Sequence, residues 1–192
     1  MGNSSAIDLS LANIYRSWQL FRRGKRPAQD IEAFQFNLEA NVLSLARDLQ
    51  RGTYEHGSYR HFEVQDNKKR LVAVATVCDR VVHRLLYEYL VPLWDKHFVY
   101  DVWSCRPNKG LLGAIQQTQH HMYAYRGGWI WRADIAKFFD HIDHEILRQC
   151  LRRRVTDSSA QELLDKVIAS YIHNETDRQT DRQTDRQTDR QT

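Results

Sequence analysis

Trp129-Ile-Trp-Arg-Ala-Asp134-Ile-Ala-Lys-Phe138-Phe139-Asp140-His-Ile-Asp143-His144 decides how this chain is read. Trp131 and Ala133 precede Asp134 and Ile135 follows it, the composition of a short buried strand. Such a strand delivers a carboxylate to its own end. A carboxylate in apolar surroundings is costly unless it is paired or bound to a metal. A helix cap or an ion-pair partner would also explain a lone strand-end Asp. Asp140 reads as a turn residue. Asp143 reads as an N-cap, with Ile142 and Leu147 placed to staple across it.

Outward from this stretch, helical and strand patterns alternate. On the N-terminal side Gly127-Gly128 end a helical repeat over Leu111–Tyr125 that carries Leu112, Ile115 and Met122. Asp79 is placed to cap a helix with Val82, Leu85, Leu86, Tyr89 and Leu90 on one face. Tyr59–Gln65 and Arg70–Ala75 alternate like strands around the turn formers Asp66-Asn67, so a β-hairpin with a basic tip is expected. Glu32–Gln50 spaces Leu38, Val42, Leu45 and Leu49 as one helix, stopped by Gly52. On the C-terminal side one helix runs to Arg154. Ser159 and Glu162 form a capping box for a last helix bearing Leu163, Leu164, Val167, Ile168 and Tyr171. Few strands scattered among helices predict an α+β fold, mostly helical, with a small antiparallel sheet. The expected divisions are 1–31, a basic extension; 32–126; 127–174; and 175–192, a low-complexity tail.

That tail repeats Thr-Asp-Arg-Gln without error from Thr176 to Thr192. It holds no apolar residue, so it is expected to be disordered or a fraying polar helix. The codons ACA-GAC-AGA-CAG spell the peptide and are themselves one repeated four-nucleotide unit. All three frames of such a tract encode the same peptide. Gain or loss of one unit therefore shifts every downstream codon, and we expect the chain to be one frame of a slippage-prone gene.

The net charge of +4 is modest for 192 residues. The four Asp and four Arg of the tail cancel and Glu175 is negative, so residues 1–174 are slightly more basic than the whole. Cations cluster at Arg22–Arg26, Lys68–Arg70 and Arg152–Arg154, a mild indication of a polyanion partner. Cys78, Cys105 and Cys150 form neither a metal-binding pair nor a disulfide framework. No apolar run is long enough for a membrane span and no signal peptide is visible, so the expected location is the cytoplasm.

Asp134-Ile-Ala-Lys-Phe-Phe-Asp-His-Ile-Asp-His resembles the first catalytic palm motif of prokaryotic reverse transcriptases, the group II intron, retron and diversity-generating types. Lys69-Arg70-Leu-Val-Ala-Val-Ala-Thr-Val-Cys-Asp79-Arg80 resembles the fingers motif of that family. Trp103-Ser-Cys-Arg106-Pro-Asn-Lys109-Gly110 resembles the next one, with Ser-Cys and Asn-Lys in place of Gly-Phe and Gly-Arg. The three occur in the family's order over roughly Glu32–Val155. The resemblance implies the fingers and partial palm of a right-hand polymerase. Its partners would be an RNA template, a DNA or RNA primer and deoxynucleoside triphosphates. Its chemistry would use two magnesium ions about 4 Å apart. Asp134 would be the catalytic, metal-binding carboxylate and the Ile135 carbonyl a second metal ligand. Phe139 would be the gate that excludes a 2′-hydroxyl. Arg70, with Lys69 or Lys68, would grip the triphosphate, as suits a guanidinium fork. Arg106 and Lys109 would touch template or nucleotide.

The family's Asp-Asp turn has no counterpart here, since no Asp-Asp pair occurs in the chain. With one carboxylate of three, metal affinity and catalysis are expected to be negligible. An inactive RNA-binding module and a non-functional frameshifted product are the alternatives. His141 and His144 lack a third ligand, so a capping or solvated role is expected instead of zinc. His120-His121 and Arg152–Arg154 end helices, where cations favour the dipole. Phe138 is expected in the core.

Overall fold

The computed structural model describes residues 6–65 and 69–171. It is mostly helical, with a single two-stranded antiparallel sheet among those residues. The α+β expectation therefore holds at that level.

Ser10 starts α1 (Leu11–Arg22), its hydroxyl accepting from the Asn13 amide. Ile14, Trp18 and Phe21 follow one another at helical spacing and are buried. They face α4 (Val77–Trp94), which buries Val77, Val81, Val82, Leu85 and Leu86. The segment read as a basic extension thus supplies part of the core. Each of these large side chains, fully buried, contributes about 1.5–3 kcal/mol.

The helix expected over Glu32–Gln50 is two helices, α2 (Gln29–Phe36) and α3 (Leu38–Arg51). Asn37 interrupts them, with φ −110° and ψ 34°. The Asn41 side-chain amide donates to the Phe34 carbonyl, which the break leaves without its helical donor. Gly52 ends α3 in the left-handed region at φ +71°, as a C-cap glycine does. α3 buries Val42, Leu45, Ala46 and Leu49.

The hairpin pairs β1 (Arg60–Gln65) with β2 (Lys69–Val74), Gln65 opposite Lys69 and Arg60 opposite Val74. Its expected basic tip, with Lys68, lies outside the described residues.

After α4 and a 3-10 turn at Asp95–His97 the chain loops to α5 (Leu111–Ala124). A second 3-10 turn at Phe139–His141 precedes α6 (His144–Arg152). Asp143 caps α6 as expected, accepting from the Glu145 and Ile146 amides. α7 (Ser158–Ser170) is capped by Asp157, not by the expected Ser159–Glu162 box, because the Asp157 carboxylate takes the Ala160 amide at 2.7 Å. Val155, Ala160, Leu163 and Leu164 bring α7 back to the core of α1, α3 and α4.

The strand expected at Trp129–Ile135 does not form. Those residues run as irregular backbone, with Trp129, Ile130, Trp131 and Ile135 all exposed. A strand needs a neighbour for its amides and carbonyls, and among the described residues the hairpin strands pair only with each other. The apolar face of α5 is similarly bare: Leu111, Leu112, Ile115 and Met122 are exposed.

Candidate nucleotide and metal site

Asp134 lies in the irregular segment, exposed, with Ile135 67% and Phe139 82% exposed beside it. Phe138 is 49% exposed, not in the core, and meets Phe139 edge-on at 5.2 Å. Lys137 turns the chain here through the left-handed region, φ +50°, and its carbonyl meets His141 Nδ1 at 2.9 Å. This turn displays Phe139 on the same exposed stretch as Asp134.

Lys69 opens β2 and is exposed, and Arg70 pairs through its backbone with Val64. No hydrogen bond or ion pair among the described residues joins Asp134 to Lys69, Arg106 or Lys109. Nor does any group of three or more His, Cys, Asp or Glu side chains among those residues stand ready for a metal.

Arg106 and Lys109 are held within their own loop. Arg106 Nε donates to Asp95 Oδ1 at 2.7 Å, and its two other nitrogens donate to the carbonyls of Asp95, Val99 and Val102. The guanidinium hydrogen bond, helped by its charge, holds the Asp95 carboxyl below the usual range. Lys109 Nζ donates to the Tyr100 carbonyl and sits 3.8 Å from the Tyr100 ring centroid and 4.3 Å from that of Trp103. Contact with a template would have to displace these bonds.

The most constrained polar residue is one the sequence reading placed as a helix cap. Asp79 is 2% exposed and lies inside α4; the cap is Thr76, whose hydroxyl accepts from the Asp79 amide at 3.2 Å. The Asp79 carboxylate accepts from the Thr76 hydroxyl at 2.6 Å, the Tyr54 hydroxyl at 2.7 Å and the Gly57 amide at 3.2 Å. His56 Nδ1 stands 3.9 Å away. Burial pushes this carboxyl up, but the Thr76 and Tyr54 hydroxyls, the Gly57 amide and His56 outweigh it and hold the pKa below its ordinary value. The same burial raises the Tyr54 hydroxyl and pushes the Cys78 thiol up to about 11.

Gly57 precedes β1 and Thr76 follows β2, so one carboxylate ties both legs of the hairpin to the start of α4. The available signal was the spacing Thr76-x-x-Asp79, that of a capping box with Asp in place of Glu. Nothing local in the sequence points to Tyr54 or Gly57.

No family model matches the chain. It is similar to Protein YkfC of Escherichia coli strain K12, 26% identical over 139 residues, covering 70% of this chain and 36% of that protein. It is also similar to the putative COX1/OXI3 intron 2 protein of Saccharomyces cerevisiae, 26% identical over 141 residues, 69% of this chain and 16% of that protein. Nuclear intron maturase 1, mitochondrial, of Arabidopsis thaliana is 26% identical over 87 residues, 45% of this chain and 12% of that protein. The last two of these are intron-related proteins by name. The chain spans little more than a third of the first of these relatives and less of the others. Among the described residues no helix is long and apolar enough to cross a membrane.

Proposed function

We propose that this chain forms the fingers and the first part of the palm of a reverse transcriptase of the kind associated with introns. The observation that carries the reading is the stretch around Asp134. It has the composition of a sheet strand, ends in a carboxylate, and stands bare with no neighbouring strand among the described residues. The order of the three motifs and the likeness to an intron protein and an intron maturase support it.

In this reading Arg70, with Lys69 or Lys68, grips the triphosphate of a deoxynucleotide. Phe139 sets its ring beneath the sugar, where a 2′-hydroxyl would collide. Asp134, with the Ile135 carbonyl, is the place for magnesium. Magnesium takes an octahedron of oxygen ligands, and two ions need several converging carboxylates. Among the described residues no group of three or more His, Cys, Asp or Glu side chains stands ready for a metal, so a magnesium pair does not fit the chain as it stands. The metal chemistry belongs to a longer polypeptide that adds the Asp-Asp turn. Arg106 and Lys109 serve first to shape their loop.

Primer extension on an RNA template tests this. The chain alone should yield no product with magnesium. A polypeptide that joins it to a downstream frame carrying an aromatic-x-Asp-Asp motif should extend the primer. Asp134→Ala in that polypeptide should lower the rate about a thousandfold, since a metal ion's stabilisation of transition-state charge is worth several kcal/mol. Retained activity would remove Asp134 from the site.

The missing Asp-Asp turn favours one second reading, an RNA-binding module without catalysis. Salt-dependent RNA binding, with no extension from any joined frame, would select it.

A further inference from the structure

A cleft between α1 and α4, none of whose lining residues belongs to the Asp134 stretch, carries its own chemistry. It is walled by the C-terminal end of α1 and the middle of α4, and it is open to solvent. Arg23 and Lys25 line one wall; Arg80 and Arg84 line the other. The cleft encloses roughly 450 Å³, room for a short length of extended chain but wide open, unlike the closed pockets that hold small molecules.

The cations are unequally matched. Arg80 pairs with Asp30, and Arg84 with Glu88 one turn along its own helix at 2.5 Å. Arg23 and Lys25 are exposed and have no ion-pair partner among the described residues. The Arg84 Nε–H is shielded from water yet has no acceptor. An unsatisfied guanidinium donor is expensive, so a rotation that gives Arg84 a new acceptor is favoured.

Aromatic rings interleave with the charges. Phe21 lies under both Lys25, 4.9 Å from its centroid, and Arg80, at 5.3 Å; Tyr87 lies under Arg84 at 4.9 Å. The rings hold the cations at fixed places along the cleft at little entropic cost. Phe21 itself is buried, so the cleft offers charges first and little ring face for a base.

We infer that this cleft binds the phosphodiester backbone of single-stranded nucleic acid, with Arg23, Lys25, Arg80 and Arg84 on successive phosphates. The inference does not rest on the catalytic reading: it needs neither Asp134 nor a metal.

The test is fluorescence anisotropy of a labelled oligouridylate of about 20 nucleotides with the full chain, at about 50 and about 200 mM salt. Arg23→Glu with Lys25→Glu should weaken binding at least about tenfold and shrink the log–log salt slope by about two. Neither side chain contributes to the core, so folding should be unchanged by circular dichroism. Arg47→Glu with Arg51→Glu, on the exposed face of α3, makes the same change in net charge and should leave the affinity within about threefold and the slope unaltered. Equal losses in both variants would show that total charge alone attracts the RNA and would overturn the site. Absence of binding by the unaltered chain, or an unchanged affinity in the Arg23/Lys25 variant, would overturn it too.

Discussion

Asp79 shows what one buried charge can hold. Its carboxylate is the acceptor for two hydroxyls and a backbone amide drawn from the two sides of the hairpin. Asp79→Asn keeps the size but turns an amide NH2 toward those donors. The expected cost is about 2–3 kcal/mol, read from the urea midpoint at neutral pH. The folded carboxyl lies below its unfolded value, so its stabilisation is complete above pH about 4 and is lost as pH falls through the folded value. Asp79→Asn should remove that acid-dependent component.

His83 gives the opposite group type but the same direction with pH. Its Nε2 is 3.1 Å from His56 Nε2, and Arg80 and Asp79 are its other charged neighbours. His56 Nδ1 meets the Gly57 carbonyl at 2.7 Å and so carries a proton. Of the two facing Nε2 atoms one donates and the other accepts. Burial, helped by His56 and Arg80 against Asp79, holds His83 below the ordinary histidine range. Below about pH 6.5 the unfolded chain therefore takes up a proton that the folded chain refuses, and stability falls. His83→Gln retains a donor and should flatten the pH dependence between about 7 and 5.5. An unflattened curve would assign the effect elsewhere.

At the scale of elements, the junction of hairpin and helix depends on a cap. The Thr76 hydroxyl both accepts the Asp79 amide and donates to the Asp79 carboxylate. Thr76→Ala should cost about 1–2 kcal/mol, whereas Thr76→Ser should cost far less, because the hydroxyl is what both bonds use.

The sequence located this junction but misnamed its cap, since Asp79 and Thr76 are both good capping residues. Their order became plain only once Tyr54 and Gly57, far away in sequence, met the carboxylate. The hairpin, α4, α5, α6 and α7 were legible from period and turn residues. The break at Asn37 was not, because the apolar period runs through it unaltered. The helix of Leu11–Arg22 was hidden by its basic end, though Ile14, Trp18 and Phe21 carry the pattern. The strand around Asp134 failed for a different physical reason. Apolar composition states a preference for a sheet, but among the described residues no strand pairs with this stretch.

Across the whole molecule the packing is uneven. One core joins α1, α3, α4 and α7, while α5 and the stretch through Phe139 bury almost nothing. Amide hydrogens of α5 should exchange much faster than those of α4, since few buried contacts hold the former closed. The bare face should bind an apolar dye and self-associate. Trp129→Asn with Trp131→Asn should reduce both effects and leave the unfolding midpoint of the core unchanged, as followed by circular dichroism. A lowered midpoint would mean that those indoles pack in solution after all.

The exposed indoles at Trp129 and Trp131 bear on the fate of this polypeptide inside a cell. A folded surface that displays tryptophan, isoleucine and phenylalanine along a slack segment looks to a chaperone or a protease like a nascent chain that has not finished folding. The lifetime of the chain should therefore be set by how soon that segment is covered, and not by the strength of the core beneath it.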